Sequence, residues 1–284
     1  MFINKINIFL PQYENIEKNY FLEILNFSNK KNFDLIKLEK DFLLTLILIK
    51  FGKLFPDLIF KWGTCLNKIY FPYFRLSEDL DFVINHDWGR ASRRTLVKKI
   101  EKSFIEELEL LWITLESKKK VDKYRIAMWT FNYDSVVNGR NQTIKIDVSI
   151  KNNLQLTPIS WKIQSIFQDH ILEEHLFDKH SINCIDIRES TAEKLRAWLT
   201  RNIPAIRDFF DIWYIKNNSE FDFTSKEFLD LVYIKLDEAN FEYTLENKKE
   251  KLFKQIQTDL VPVLNLDANF DFDEIFNFVL SFRK

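Results

Sequence analysis

Two short segments in which apolar and polar residues alternate place three aspartates in an unusual setting. In "RLSEDLDFVI" (75–84) Asp79 and Asp81 alternate with large apolar residues, and in "TIKIDVSI" (143–150) Asp147 does the same. Successive side chains of a strand point to opposite faces, so each segment separates its carboxylates from its apolar side chains. The pattern therefore predicts two strands which, as neighbours in one sheet, would present three carboxylates on a single face.

Three carboxylates on one face repel each other unless a cation compensates for their charge. Hard oxygen ligands of this kind suit Mg²⁺. Two such ions, about 3.5–4 Å apart, assist in-line displacement at phosphorus in polymerases and related enzymes. We therefore predict that Asp79, Asp81 and Asp147 bind metal, with two Mg²⁺ ions expected, and that they are catalytic.

A glycine precedes the first acidic segment. The chain has only four glycines, and Gly63 stands after the apolar segment "DLIFKW" and directly before Thr64. A glycine at the end of a strand lets the backbone approach a ligand closely, and the N–H groups of a following helix start bind phosphate. Residues 66–70 are expected to begin that helix, and Thr64 would add a hydroxyl donor.

The rest of the chain predicts an α+β fold with two parts. Residues 1–165 combine N-terminal helices (13–28 and 33–54), the strands above and a hairpin in which "KYRIAMWTFNY" pairs with "QTIKIDVSI". An Asn138-Gly139 dipeptide marks the hairpin loop. Residues 166–284 are expected to form a helical C-terminal domain, with Ser190 and Thr191 as cap candidates for its first long helix.

That helical part carries a second group of charged residues. Lys194 and Arg201 are seven residues apart and share one helix face, and Asp208 and Asp211 share a face of the next helix. A lysine and a carboxylate beside a triphosphate would neutralise developing charge and position a reacting group. The alternative is an interhelical network of ion pairs with a structural role.

Composition limits the classes of protein that fit. The chain has 284 residues, 46% hydrophobic and 29% charged, with a net charge of −1 and two cysteines. This balance is typical of a folded soluble protein, and two cysteines are too few for a disulfide framework. The longest apolar run, 42–49, falls well short of the roughly 18 residues of a membrane span, and the N-terminus lacks a signal-peptide pattern. We expect a cytoplasmic protein with no membrane partner.

Together these motifs resemble a known family. Gly-Thr, a spacer, Asp-x-Asp and a distant third acid are similar to the nucleotidyltransferase superfamily typified by DNA polymerase β. More narrowly, "FKWGTCL…FRLSEDLDF", "IKIDVSI" and "AEKLRAWLTRNIPAIRDFFDIWYI" resemble the AbiEii/AbiGii toxin family, the toxin halves of bacterial abortive-infection and toxin–antitoxin pairs. The likeness runs from about residue 60 to residue 215. It implies a polymerase-β-like core with a mixed sheet, followed by helices.

The resemblance also implies roles for individual residues. Gly63 and Thr64 would hold the triphosphate of an NTP, and Arg75 and Ser77 match an "R-x-S" motif expected to contact phosphates. The lysine and carboxylates of the family's helical motif correspond to three residues that would join the nucleotide site: Lys194, Asp208 and Asp211. The family usually has two glycines where this chain has Trp62 and Gly63.

The implied activity is Mg²⁺-dependent transfer of a nucleoside monophosphate from an NTP to an acceptor. The expected acceptor is tRNA or another RNA, and the active site is expected in a cleft between the two parts. The implied role is the toxin of a pair that defends against phage, with a cognate antitoxin as partner. Residues 90–125 carry 11 basic and six acidic residues. This segment is either a basic face for that RNA or a solvated helix face.

Other interpretations remain open. A small-molecule nucleotidyltransferase would have a compact pocket and no extended basic surface. A third kind of enzyme would transfer the nucleotide to protein side chains. A catalytically inactive binding module would have no use for three clustered acids. The aromatic segment "YFPYF" (70–74) either stacks a base or packs beneath the sheet.

Overall fold

The computed structural model describes residues 18–151, 153–177, 179–201, 204–238, 248–264 and 270–282. These residues divide into two compact units. Unit 1 contains the described residues up to Leu154 together with Pro158–Cys184, and unit 2 contains Gln155–Thr157 and the described residues from Ile185 onward. The division differs from the predicted boundary at 165/166, because a strand near residue 184 belongs to the sheet of unit 1.

Unit 1 combines helices with seven strands. The helices are α1 (Lys18–Ser28), α2 (Leu35–Leu54), α3 (Trp62–Cys65, continued by a π-helical turn at Leu66–Tyr70) and α4 (Arg90–Glu109). The strands are β1 (Ile59–Lys61), β2 (Asp79–Ile84), β3 (Thr114–Val121), β4 (Ile126–Asp134), β5 (Asn141–Ile150), β6 (Ile159–Lys162) and β7 (Ser181–Cys184). Of the N-terminal helix predicted over 13–28, residues 13–17 lie outside the described ones.

The strands form one mixed sheet in the order β3-β4-β5-β2-β1-β7-β6. Strand β2 runs parallel to β5 and β1 runs parallel to β7, while the other neighbouring pairs are antiparallel. The predicted α+β class with a mixed sheet is therefore confirmed, as is the predicted hairpin of β4 and β5. Three strands were not predicted: β3, β6 and β7.

The two faces of the sheet differ in composition. Along β4 and β5, buried apolar side chains alternate with partly exposed ones. We call the buried side, which carries Phe82 and Trp129, the back face, and the side that carries Asp81 and Asp147 the front face. Helix α4 covers the back face, where Phe104 meets Trp129 edge-on at a centroid distance of 5.4 Å. Burial of this apolar layer is the main driving force for the sheet to hold its register.

The back face also contains a polar cluster centred on Glu101 of α4. Its carboxylate accepts hydrogen bonds from Lys118 (2.8 Å), from Trp129 Nε1 (2.9 Å) and from Lys120. Burial alone would raise the pKa of Glu101, but these hydrogen bonds outweigh burial and hold the pKa at about 2. The cluster thus fixes α4 to strands β3 and β4.

We expect Glu101→Gln to lower the free energy of unfolding at pH 7 by about 1–2 kcal/mol, because hydrogen bonds to a charged acceptor are lost. The pKa of Glu101 is lower in the folded protein than in the unfolded protein, where it is about 4.3. The ionised carboxylate therefore stabilises the folded state fully above that pH, and this stabilisation is lost as the pH falls toward 2. Urea denaturation at pH 7 and pH 3.5 should therefore show the wild type and the variant converging at low pH. Glu106→Gln, which affects an exposed pair with Lys102 on the same helix, should change stability little at either pH.

Within its described residues, unit 2 is helical. The helices are α5 (Ile187–Thr200), α6 (Ile206–Asn218), α7 (Lys226–Asp237), α8 (Lys249–Gln255) and α9 (Phe272–Leu280), with a π-helical turn at Ile256–Leu260 and a 3₁₀ turn at Val261–Val263. The predicted helical C-terminal portion is therefore observed. Helix α5 begins earlier than predicted: Asp186 caps it by accepting from the Arg188 N–H at 2.8 Å, and Ser190 and Thr191 lie inside the helix.

No helix in the part of the chain that the structure describes is both long enough and apolar enough to cross a membrane.

Candidate functional site

The three predicted aspartates share the front face of the sheet. Asp81 of β2 lies directly opposite Asp147 of β5 in the parallel pairing, and Asp79 lies opposite Lys145. Directly paired residues project to the same face, as do residues two apart on one strand. All three aspartates are half-buried. The pairing that the sequence required for three carboxylates to face the same way is thus present.

The electrostatics around Asp147 indicate that these carboxylates influence each other. Burial and the negative charge of Asp79 raise the pKa of Asp147 to about 6, while the positive charges of Lys145 and Lys61 oppose the rise. Lys61 ends β1 opposite Asp81, so it belongs to the same face. The front face therefore holds a group of repelling carboxylates with a lysine on each side.

The donor set fits a hard divalent cation. Carboxylate oxygens are the ligands that Mg²⁺ prefers, and a cation would favour ionisation of Asp147, whose pKa is raised by burial and by the charge of Asp79. Among the described residues, however, no group of three or more His, Cys, Asp or Glu side chains stands in an arrangement that could hold a metal ion. The aspartates thus line one face without forming a closed cage of ligands, and their role as metal ligands stays a prediction.

The turn at Gly63 begins immediately after β1. A Cβ atom at Gly63 would lie 2.6 Å from Nη2 of Arg75 and 3.1 Å from Oγ of Ser77. A side chain at this position would need the space that the buried Arg75 guanidinium occupies, so the guanidinium would have to move. The structure thereby brings together three of the residues predicted to bind nucleotide.

The neighbouring tryptophan explains the departure from two glycines. Trp62 has a φ of 66°, in the left-handed region that glycine enters most easily. A tryptophan in that conformation costs of order 1 kcal/mol or more, which the surrounding structure offsets. The Lys61 ammonium lies 5.2 Å from the Trp62 ring centroid, a cation–π contact that helps to hold the residue. The glycine-like backbone shape is therefore kept without the glycine.

We expect Gly63→Ala to lower nucleotidyl transfer at least tenfold, since the new methyl group must displace Arg75 from the turn, and misplacing a positioning group by about 1 Å can cost a hundredfold. The measurement is kcat/KM for the NTP alongside the melting temperature. Gly89→Ala is the matched control, because nothing lies within 4 Å of a Cβ at Gly89. Equal activity of both variants would contradict the importance of the turn.

Thr64 and Arg75 have partners that sequence reasoning did not foresee. Thr64 is buried, and its hydroxyl donates to the Asp79 carbonyl oxygen at 2.5 Å. That hydroxyl proton is thus already used to fix the start of β2. Arg75 is also buried and donates from Nη1 to the Leu76 carbonyl at 2.9 Å. Residues 75–78 precede β2 instead of belonging to it, so the predicted strand over 75–84 was too long. Phosphate contacts by Thr64, Arg75 and Ser77 stay predictions.

A buried ion pair connects the segment that follows the turn at Gly63 to helix α2. Lys68, in the π-helical turn after α3, contacts Asp41 of α2 at 2.6 Å, and neither side chain is exposed. Tyr73 completes the cluster, receiving a hydrogen bond from Lys68 at 2.7 Å and donating one to Asp41 at 2.9 Å. Burial lowers the pKa of Lys68, although the negative charge of Asp41 acts in the opposite direction. Tyr73 therefore belongs to the core, which supports the packing interpretation of "YFPYF".

In unit 2, the predicted lysine and aspartates meet. Lys194 of α5 contacts Asp208 at 2.5 Å and Asp211 at 2.8 Å, both on α6. Arg201 contacts the second oxygen of Asp208 at 3.2 Å. Lys194 is 1% exposed and Asp211 is 0% exposed. These contacts correspond to the interhelical network that the sequence left open as the alternative, and a role for these residues at a nucleotide stays a prediction.

Two lysines influence the charge at the site but were given no role from the sequence. Lys61 was not singled out, because its place opposite Asp81 depends on the pairing of β1 with β2. Lys145 was recognised as sharing a face with Asp147 but was given no role. The signal for both was the period-two pattern, which has predictive value only once the strand neighbours are known.

The basic segment 90–125 does not form one surface. Helix α4 covers the back face, and Lys118 and Lys120 also point there, toward Glu101. Lys119 is paired with Met128 and points to the front face. The three lysines of β3 are divided between the two sides of the sheet, because successive strand residues alternate between faces, and this argues against the interpretation as a single basic face.

Comparisons with known proteins agree with this architecture. Residues 46–278 match the family model described as nucleotidyl transferase AbiEii toxin, type IV toxin–antitoxin system. MenT4, a nucleotidyltransferase toxin from Mycobacterium tuberculosis, has a similar structure, with 14% identity, a TM-score of 0.51, and coverage of 95% of this chain and 100% of that one. JHP933 from Helicobacter pylori is 18% identical over 88% of this chain and 91% of its own, with a TM-score of 0.49. No curated protein matches.

Proposed function

This chain belongs to the AbiEii family of nucleotidyltransferase toxins of type IV toxin–antitoxin systems, and from that premise we propose that it transfers a nucleoside monophosphate from an NTP to a hydroxyl group of an RNA. The acceptor oxygen forms a bond to the α-phosphorus, the bond from that phosphorus to pyrophosphate breaks, and the hydroxyl proton is released to water. The observation that carries the proposal is the alignment of Asp79, Asp81 and Asp147 on one face.

We propose that Asp79, Asp81 and Asp147 would hold Mg²⁺ when it is bound, with two ions expected. Bound Mg²⁺ would lower the pKa of the attacking hydroxyl and neutralise charge on the phosphates. Lys61, on the same face, would add positive charge near the phosphates. Repulsion among the aspartates in the metal-free state supports this proposal, since it is the charge that the ions would balance.

The triphosphate is proposed to lie at the turn after β1. Gly63 lets the Arg75 guanidinium approach the backbone of this turn closely, which keeps a positive charge beside the position proposed for the phosphates. Arg75 and Ser77 adjoin this turn. The buried hydrogen bond from Thr64 to Asp79 supports a positioning role for Thr64, because it ties the phosphate turn to the acidic strand.

An RNA acceptor, tRNA being one candidate, and a defence against phage are the finer parts of the proposal. An exposed Lys119 and an exposed Lys145 on the front face support an anionic acceptor. The membership in a toxin–antitoxin family implies an antitoxin that restrains the activity. Because NTPs and RNA share the cytoplasm, we propose that the protein acts there.

The test is to incubate the purified protein with Mg²⁺, each α-labelled NTP in turn, and total cellular RNA. We expect label on RNA from at least one NTP, pyrophosphate release in equal amount, and no transfer in EDTA. Label on protein would favour the protein-modifying alternative. Label on neither, with every NTP and with added small-molecule hydroxyl compounds, would contradict transfer to RNA and favour an inactive binding module.

A further inference from the structure

The front face of strands β3, β4 and β5 is a partly exposed surface that carries both polar and apolar side chains. Every front-facing residue of β4 between Ile126 and Asn132 is half-buried, whereas the intervening back-facing residues are buried. On β5 the front-facing residue Lys145 is exposed, and on β3 the front-facing residue Lys119 is exposed. A sheet face with this accessibility beside three carboxylates is available to a large ligand.

The register places a single row of side chains across the sheet. Lys119 lies opposite Met128, Met128 opposite Asp147, Asp147 opposite Asp81, and Asp81 opposite Lys61. Neighbouring strands are about 4.8 Å apart, so Lys119 begins about 10 Å from the β5 backbone. The row thus runs from the phosphate turn after β1, through the acids, to a lysine at the edge of the sheet.

The geometry of phosphoryl transfer assigns a direction to this row. The attacking and leaving oxygens lie roughly in line on opposite sides of phosphorus. If the triphosphate lies at Gly63, on the β1 side of the acids, the leaving pyrophosphate is on that side and the attacking hydroxyl approaches from β5. We propose, on the basis of the proposed function, that the front face of β3–β5 binds the acceptor RNA, with Lys119 and Lys145 contacting its backbone phosphates.

Charge complementarity favours an acceptor of this kind. Lys145 lies two residues before Asp147 on β5, on the same face, and is opposite Asp79 in the pairing of β2 with β5. The other front-facing residues of the surrounding rows are neutral and include Ser117 and Thr130, which are opposite each other. The acids at paired front positions of β3–β5 are Asp147 and Asp134, the latter at the far end of β4, and Glu116 stands at the bulge of β3. Positive and hydroxyl-bearing side chains beside the acids suit the phosphates and riboses of an RNA strand.

The test compares a Lys119→Gln/Lys145→Gln double variant with Lys118→Gln. Lys118 is the matched control, because it is adjacent on β3, is exposed, and points to the back face. Binding of a fluorescent single-stranded RNA of about 12 nucleotides is measured at several KCl concentrations, together with the KM for NTP and for total RNA. We expect the double variant to bind RNA about tenfold more weakly, with a salt slope lower by about 1.4, because each phosphate contact on a single strand contributes about 0.7. The KM for NTP should stay unchanged in the Lys119→Gln single variant, whose side chain begins about 10 Å from the β5 backbone.

Three other results would contradict the acceptor assignment. Unchanged RNA affinity and salt slope in the double variant, while the wild type labels RNA, would overturn this inference and leave the proposed function intact. A higher KM for NTP with unchanged RNA binding would overturn it in favour of a triphosphate contact. If the wild type binds the RNA but transfers no label to any RNA, the proposed function fails, and the acceptor assignment fails with it.

Discussion

Replacing Asp79 and Asp81 together with asparagine should abolish nucleotidyl transfer, lowering kcat/KM by at least about a thousandfold, equivalent to about 4 kcal/mol of transition-state stabilisation. The fold should survive, because asparagine has the shape of aspartate and both residues lie half-buried on an accessible face. The melting temperature of the metal-free protein should be unchanged or higher, since the substitution removes negative charge beside Asp147. Label transfer and thermal unfolding, measured on the same preparation, check both parts.

The same short segment supplies a matched control. Glu78 directly precedes Asp79, but its carboxylate contacts Lys37 and Lys40 of α2 at 3.1 Å each. Burial opposes its ionisation, and the two lysines nevertheless hold the pKa of Glu78 below its usual range. Glu78→Gln should therefore lower stability and keep most of the activity. An active double asparagine variant would disprove the proposed site.

Replacing Lys194 with methionine should lower the free energy of unfolding by about 3–5 kcal/mol, the usual cost of removing one partner of a buried ion pair. The carboxylates of Asp208 and Asp211 would be left buried without the ammonium that neutralises them. Denaturant unfolding monitored by tryptophan fluorescence provides the measurement, since Trp198 of α5 packs against Phe209 of α6.

A neutralised triple variant separates structure from catalysis at this cluster. Adding Asp208→Asn and Asp211→Asn to Lys194→Met removes the uncompensated charges, and most of the lost stability should return. If the refolded triple variant transfers nucleotide normally, the cluster is structural. If it is stable but inactive, the role at the triphosphate implied by the family resemblance is supported. A Lys194→Met variant as stable as the wild type would contradict the observed burial.

The sequence was most informative where side-chain alternation was strict. Asp79, Asp81 and Asp147 could be assigned to one face because apolar residues occupy the other face of each strand. Helical spacing likewise assigned Lys194 and Arg201 to one helix face, and Asp208 and Asp211 to one face of the next helix, while the ion pairs between these helices were the alternative interpretation. Period and charge identified the candidate groups, and the pairing of β2 with β5 then placed the three aspartates on one face.

Other features depended on contacts between distant segments. Strand β3, "TLESKKKV", lacks an apolar alternation, because it lies at the edge of the sheet and buries little. The placement of Arg75 on a strand was wrong, because β2 begins at Asp79 and the Arg75 guanidinium lies against Gly63, twelve positions away. Asp186 was overlooked as the cap of α5, since Ser190 and Thr191 present a stronger local signal. Such features arise from tertiary packing, which local patterns do not encode.

The position of β3 at one end of the sheet has a further consequence. An outer strand exposes unpaired backbone N–H and C=O groups, which invite a strand of another molecule and so promote aggregation. Three consecutive lysines, Lys118 to Lys120, stand on this strand, and a bulge between Leu115 and Ser117 interrupts its regular pairing. Lysines and bulges are two of the devices by which natural sheets prevent such pairing. The strand is therefore a poor template for intermolecular β-structure, and we expect no strand of another molecule to add to this side of the sheet.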